Sequence, residues 1–195
     1  MKHHTANIPE KRRIILAVGG ASGSIYARQL ARSLQKHRQV DQVALVLSKN
    51  AAGIWEDELG SKDYQAFDFN YYDVNDFYNP LASGSSQYDA MVVVPASMGQ
   101  VGRIANGISD NLISRAADVM LKERRKLIIV PRETPYNLIH LRNMTTLTEA
   151  GAIICPASPS FYSKPETIEH LAETVTHRIL DLLSLTVDTF RWQED

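Results

Sequence analysis

Arginine and glutamate stand side by side between two prolines at Pro131-Arg132-Glu133-Thr134-Pro135. Proline fixes its own φ and stiffens the chain, so the loop would hold a cation and a carboxylate together at the edge of a sheet. A structural ion pair is the plainer use of the same side chains. The run Gly19-Gly20-Ala21-Ser22-Gly23-Ser24 offers a different chemistry. Its glycines let the backbone approach a ligand, and a following helix turns free N–H groups and partial positive charge toward it. A phosphate or a flavin suits that run, as does an ordinary tight turn. Leu47-Ser48-Lys49 and Pro95-Ala96-Ser97-Met98-Gly99-Gln100 are again small and polar. A nicotinamide dinucleotide site takes Asp or Glu near Ser48 for the ribose hydroxyls, so Ser48 favours a phosphate or a flavin edge. Pro156-Ala157-Ser158-Pro159-Ser160-Phe161-Tyr162 adds an aromatic hydroxyl.

Arg115 and Lys122 are seven residues apart in a helical segment, so they share a face about 10 Å apart along its axis. That face lies roughly opposite the apolar stripe of the same helix. In a single chain it is a solvated cationic face. If these cations bind a ligand, a neighbouring copy delivers them and the site is completed across an oligomer interface.

The elements that must position these residues are legible in the hydrophobic pattern. Ile14–Val18, Val43–Leu47, Met91–Val94 and Leu127–Val130 are short, near-continuous apolar runs, with a weaker fifth at Ala152–Cys155. Runs of this kind read as strands buried on both faces of a parallel sheet. Between them Asp110–Arg124 and Pro165–Leu185 carry apolar stripes with helical period. Alternating strand and helix predict an α/β fold, a doubly wound parallel sheet in three layers, with ligands outside the carboxyl ends of the strands. Residues 63–88 break the rhythm and read as an irregular excursion holding a short helix. A loop of that length is uncommon unless it binds something.

A length of 195 residues suits one domain, read here as a polar extension over 1–12, the domain over 13–185 and a tail over 186–195 that contains Arg191 and Trp192. With 21 Lys and Arg against 22 Asp and Glu, broad non-specific nucleic-acid binding is disfavoured, because that binding rests on excess cations. Cys155 is the only cysteine, which excludes an intrachain disulfide and gives no sign of an oxidising compartment. The apolar run after the basic first residues is too short for a secretory signal, and no stretch approaches the ~20 apolar residues of a membrane span. The expectation is a soluble, cytoplasmic protein. His3, His4, His37, His140, His170 and His177 show no metal-ligand spacing, and no metal is expected. There is no Gly-x-Ser-x-Gly elbow, no Gly-Lys-Ser/Thr loop and no Asp-rich run, so a bound phosphate would be gripped directly by Arg, Lys and backbone N–H groups.

Taken together the motifs resemble one family, the UbiX-type flavin prenyltransferases. The strings that carry the resemblance are Gly20-Ala21-Ser22-Gly23, Ser48-Lys49, Ser83-Gly84-Ser85 and Ile104-Ala105-x-Gly107-x-x-Asp110. Arg115-Ala116-Ala117-Asp118-Val119-x-Leu121-Lys122-Glu123-Arg124-Arg125 runs on to Pro131-Arg132-Glu133-Thr134-Pro135, a long and specific block. His140-Leu141-Arg142-x-Met144, Pro159-x-Phe161-Tyr162 and Arg178-x-Leu180-Asp181 follow in the family's order, so the similarity spans Arg13 to Trp192.

The resemblance implies a flavodoxin-like enzyme that joins a dimethylallyl group from dimethylallyl monophosphate to reduced FMN, first at N5 and then at C6. The product, prenylated FMN, is the cofactor of UbiD-type decarboxylases in ubiquinone biosynthesis or aromatic acid metabolism. Members have been labelled aromatic acid decarboxylases themselves, a label expected to mislead here. The family's usual assembly is a dodecamer with sites at subunit interfaces. By the same resemblance Gly20, Ala21 and Ser22 match the first FMN loop, with Ser22 near the N5 edge. Ser48, Ser97, Met98, Gly99, Gln100 and Arg132 match further FMN contacts. Tyr162 and Arg178 match positions that bind the allyl phosphate, with Lys122 and Arg115 nearby. Glu58 and Glu133 match acidic positions, Glu133 being the candidate for proton handling at C6 or the leaving phosphate. Taken alone, Glu58 reads equally as a solvated helix residue.

One departure is visible. Where the family commonly has Ser-x-Lys-Thr, this chain has Ser97-Met98-Gly99-Gln100, which removes a cation near the flavin. Residues 63–78 match no family string. The rival readings are an FMN-dependent decarboxylase of the cysteine-peptide type and a non-catalytic FMN-binding subunit. The first carries a Pro-x-Met-Asn-x-x-Met run and an early catalytic His, neither of which is evident, and the second has no use for a second phosphate pocket.

Overall fold

A computed structural model describes residues 11–191 and 193, so most of the polar N-terminal extension and Trp192 lie outside the described residues. The chain alternates β1 (Arg12–Val18), α1 (Ser24–Lys36), β2 (Val40–Leu47), α2 (Ala51–Leu59), β3 (Asn70–Tyr72) and β4 (Ala90–Ala96). It continues through α3 (Met98–Ala105), α4 (Leu112–Lys122), β5 (Lys126–Pro131), α5 (Leu138–Glu149), β6 (Ile153–Ile154) and α6 (Ile168–Leu182). All strand pairs are parallel, in the order β3-β2-β1-β4-β5-β6. Setting aside the short edge strand β3, this is the flavodoxin-like order.

Alternate residues of each strand feed opposite layers, which is why the strands read as unbroken apolar runs. Ile15, Ala17, Met91, Val93, Leu127 and Ile129 pack against α3, α4 and Leu147 of α5. Ile14, Leu16, Val92, Val94, Ile128 and Val130 pack against α1, α2 and α6. The helices start later than their apolar patterns suggest, at side-chain caps: Asn111 accepts from the Ser114 N–H, and Thr167 from the His170 N–H.

One expectation needs correction, and one helix was not foreseen. The excursion is built rather than irregular: it holds two short 3-10 turns, Asp63–Ala66 and Pro80–Ala82, and β3 between them. Three residues are too few to display a period, and β3 is fixed by pairing with Ala44–Val46 and by the Tyr71 hydroxyl, which donates to the Tyr64 and Phe67 carbonyls. Helix α5 carries no clean apolar stripe, since Leu147 is its only buried residue and Leu138, Ile139 and Leu141 are exposed.

Beyond α6 the chain turns back onto the domain. Leu185 is buried, Thr186 N–H donates to Gln39 Oε1 at 3.1 Å, and Arg191 forms a two-pronged bond to Asp181 at 2.8 and 3.1 Å. No helix among the described residues is long and apolar enough to cross a membrane.

Candidate active site

The strand order reverses between β1 and β4, and in open α/β sheets the crevice outside the carboxyl ends at that point is where ligands bind. The two strand ends meet closely: Gly19 N–H donates to the Pro95 carbonyl at 3.0 Å, and a Cβ on Gly19 would collide with that oxygen. Gly23 then adopts φ +116°, a conformation that L side chains rarely take, and delivers the chain into α1.

The amino end of α1 is filled from within the protein. Glu58, on α2, accepts the Gly23 N–H at 3.0 Å and the Ser24 N–H at 2.7 Å, and the Ser22 hydroxyl also donates to it. Burial pushes the Glu58 carboxyl up, but the hydrogen bonds from Ser22, Ser24 and Gly23 outweigh it and hold it below its ordinary value. Glu58 is therefore an ionised carboxylate seated on the glycine loop, although the residue as a whole is exposed. The α1 terminus, which the sequence offers to a phosphate, is already taken by this anion.

Ser48, at the end of β2, supplies a group with a vacant bond. Its Oγ is buried without a hydrogen-bond partner and lies 3.5 Å from where a Cβ on Gly20 would be. A buried unpaired hydroxyl is costly, so one facing a bare glycine at the crevice fits a polar ligand edge such as a flavin's. After β4, Ser97 caps α3, and the helix turns its first N–H groups toward the same crevice.

The remaining cofactor candidates on α3 divide. Met98 is buried in the core and Gly99 is exposed, leaving their backbone N–H groups to meet a ligand. Gln100 is placed elsewhere: its amide donates to buried Ser114 Oγ at 3.0 Å and its N–H to Ser97 Oγ at 3.3 Å. Its side chain stands on the core-facing side of α3 with Val101 and Ile104, which leaves its backbone as the part that could meet a ligand.

Arg132 and Glu133 follow β5 as the sequence suggests. Arg132 is tied to the crevice by its N–H, which donates to the Ala96 carbonyl at 3.1 Å, and Glu133 Oε1 accepts the Thr134 N–H at 2.9 Å. Tyr26 is a neighbour that the sequence reading missed. Its ring lies beside Gly23, where a Cβ would come within 2.9 Å of Cδ2. Burial raises the Tyr26 hydroxyl above its ordinary value, against a smaller opposing pull from Arg132. Its position three residues after Gly23 on a helix was the available signal.

The donor candidates divide. Tyr162 is exposed on the loop after β6, and that loop, through Ser160, Ser163 and Lys164, borders the cleft of about 540 Å³ that Arg178 of α6 lines. Lys122 ends α4 just before β5 begins, whereas Arg132 follows its end. Six strand residues put about 20 Å between those ends, so Lys122 does not reach the Arg132–Glu133 loop of its own chain. Arg115 is also no free cationic face: its Nε donates to the Ala82 carbonyl at 3.0 Å and its Nη1 to Asp118 at 2.9 Å. Among the described residues no group of three His, Cys, Asp or Glu could hold a metal ion.

Comparison with known proteins gives a consistent picture. The flavoprotein family model matches residues 2–183. The flavin prenyltransferase UbiX of Methanocaldococcus jannaschii is 46% identical over 183 residues, covering 92% of this chain and 98% of that protein. The solved structure of AnUbiX in complex with FMN and dimethylallyl pyrophosphate superposes with a TM-score of 0.86 at 40% identity, covering 94% of this chain and all of that one. A dodecameric FMN-dependent UbiX-like decarboxylase from Escherichia coli O157:H7 superposes at 0.88 with 37% identity, over 93% of this chain and 99% of that one. With a sequence likeness that runs nearly end to end and a fold that superposes on theirs, this chain belongs to the flavoprotein family and, within it, to the UbiX-type flavin prenyltransferases.

Proposed function

We propose that this protein joins a dimethylallyl group, carried on a phosphate, to reduced FMN in the crevice between β1 and β4. The observation that carries the reading is the Glu58 carboxylate seated on the Gly23 and Ser24 N–H groups of the glycine loop, next to Ser22, and held in its ionised form. When bound, reduced flavin supplies the nucleophile, N5 first and C6 second. Ser22 and Glu58 then accept the proton lost at N5, the hydroxyl handing it to a carboxylate already held in its basic form. Ser48, the Gly20–Ala21 backbone and the first N–H groups of α3 bind and orient the flavin, and Arg132 supplies a nearby cation.

Breaking an allylic C–O bond develops negative charge on the departing phosphate, and fixed cations lower that barrier. Tyr162, Arg178 and Arg132 are the proposed donor contacts, with Glu133 moving a proton at C6 or at the phosphate. Lys122, remote from Glu133 in its own chain, and Arg115 on the same helix serve the site of a neighbouring copy. That requires an oligomer, and the E. coli relative is a dodecamer. The product's recipient is a UbiD-type decarboxylase, and the setting is the cytoplasm. Tyr162→Phe combined with Arg178→Ala tests the donor assignment: FMN binding is expected to persist while turnover is lost. Surviving turnover would show that the donor binds elsewhere.

A further inference from the structure

The loop Ala82–Ser86 lies against the carboxyl end of α4, at the sheet edge opposite the flavin crevice. Two arginines fasten it by its backbone: Arg115 Nε donates to the Ala82 carbonyl at 3.0 Å and Arg125 Nη2 to the Gly84 carbonyl at 2.9 Å. The loop also closes on itself, with Ser83 Oγ and Ser85 Oγ 2.9 Å apart. Lys122 and Glu123 form an ion pair directly over Gly84, where an added Cβ would come under 3.0 Å from Glu123 Oε1 and Lys122 Nζ. Gly84 is not among the glycines with positive φ, so no backbone conformation demands glycine there. What demands it is the space the ion pair occupies.

We propose that Gly84 and Glu123 are positioning residues for Lys122: the bare glycine seats the ammonium, and the carboxylate holds it there, oriented for the donor phosphate. The proposal rests on the reading of Lys122 as a donor-phosphate contact supplied to a neighbouring copy. A half-exposed ion pair contributes little to stability, and here the side chains are 45% and 35% exposed. Its effect lies in order. Lysine carries its charge on a flexible four-carbon stem, and fixing that stem in advance moves the entropic cost out of the binding step. The arginine clamps keep the seat itself from shifting. The hydrogen bond from Lys122 holds the Glu123 carboxyl below its ordinary value, so the partner stays charged at neutral pH.

The test uses the full chain and four variants: Lys122→Ala, Gly84→Ala, Glu123→Gln, and Gly84→Ala with Lys122→Ala. Steady-state prenylation of reduced FMN is measured against dimethylallyl phosphate, with FMN affinity, melting temperature and mass in solution as controls. Because the atoms crowding Gly84 are ends of flexible side chains, Gly84→Ala is expected to fold and assemble as the parent does. Gly84→Ala and Glu123→Gln should each raise the donor KM about tenfold with kcat and FMN affinity little changed. The double variant should be no worse than Lys122→Ala alone, since glycine and lysine act through one contact. Additive losses would overturn the proposal, as would a donor KM that stays put or falls in Glu123→Gln while Lys122→Ala raises it. If Lys122→Ala itself leaves the donor KM unchanged, the reading of Lys122 fails and takes the proposal with it.

Discussion

Glu58 closes the amino end of α1 from a different helix, its Oε2 accepting the Ser24 N–H at 2.7 Å while both oxygens accept the Gly23 N–H at 3.0 Å. One carboxylate thus caps a helix, fixes the glycine loop and touches the hydroxyl of Ser22. Glu58→Gln keeps an acceptor but loses the charge. The cap is partly exposed, so the expected cost is about 1 kcal/mol of stability. Turnover should fall by about 100-fold or more with FMN still bound. The Glu58 carboxyl is held below its ordinary value in the fold. Its contribution is therefore whole above the ordinary carboxylate range and is lost as pH falls through the lowered folded value. The stability deficit of the variant should shrink in acid, and urea unfolding at neutral and acidic pH measures it.

Ser48→Ala removes a buried hydroxyl that has no partner within the chain. Without ligand the melting temperature should stay the same or rise slightly. With FMN the affinity should fall by about 5- to 10-fold, the loss of roughly one hydrogen bond. Calorimetric titration alongside melting curves with and without FMN reads both. Equal affinity in variant and parent would mean that Ser48 does not face the flavin.

Gln100→Ala separates structure from binding. The amide of Gln100 is buried against Ser114, so its loss leaves the Ser114 hydroxyl unpaired and costs about 1–3 kcal/mol. Flavin affinity should be unchanged, because the side chain points into the core. Chemical unfolding and flavin titration on the same preparation check the pair of outcomes.

Most of the sheet was legible because strand stretches buried on both faces must be apolar throughout, as Ile14–Val18 of β1, the whole of β4 and Leu127–Pro131 of β5 are. Strand β3 was not, since three residues at an edge show no period, and α5 was not, since only Leu147 of its twelve residues is buried. At the site, the loops after β1, β2, β4 and β5 followed from strand ends and small residues. The partner of each loop did not. Glu58 meets Gly23 from 35 residues away, and Gln100 meets Ser114 from 14 residues away, relations set by packing rather than by local spacing. The separation of Lys122 from Arg132 became clear once β5 was known to run between them.

The most direct test of the proposed reaction is an anaerobic incubation of the purified protein with reduced FMN and dimethylallyl phosphate, followed by mass analysis of the released flavin. A flavin heavier by one five-carbon prenyl unit is the predicted result, absent when either substrate is withheld. Unmodified flavin, recovered from protein shown to have bound FMN, would contradict it.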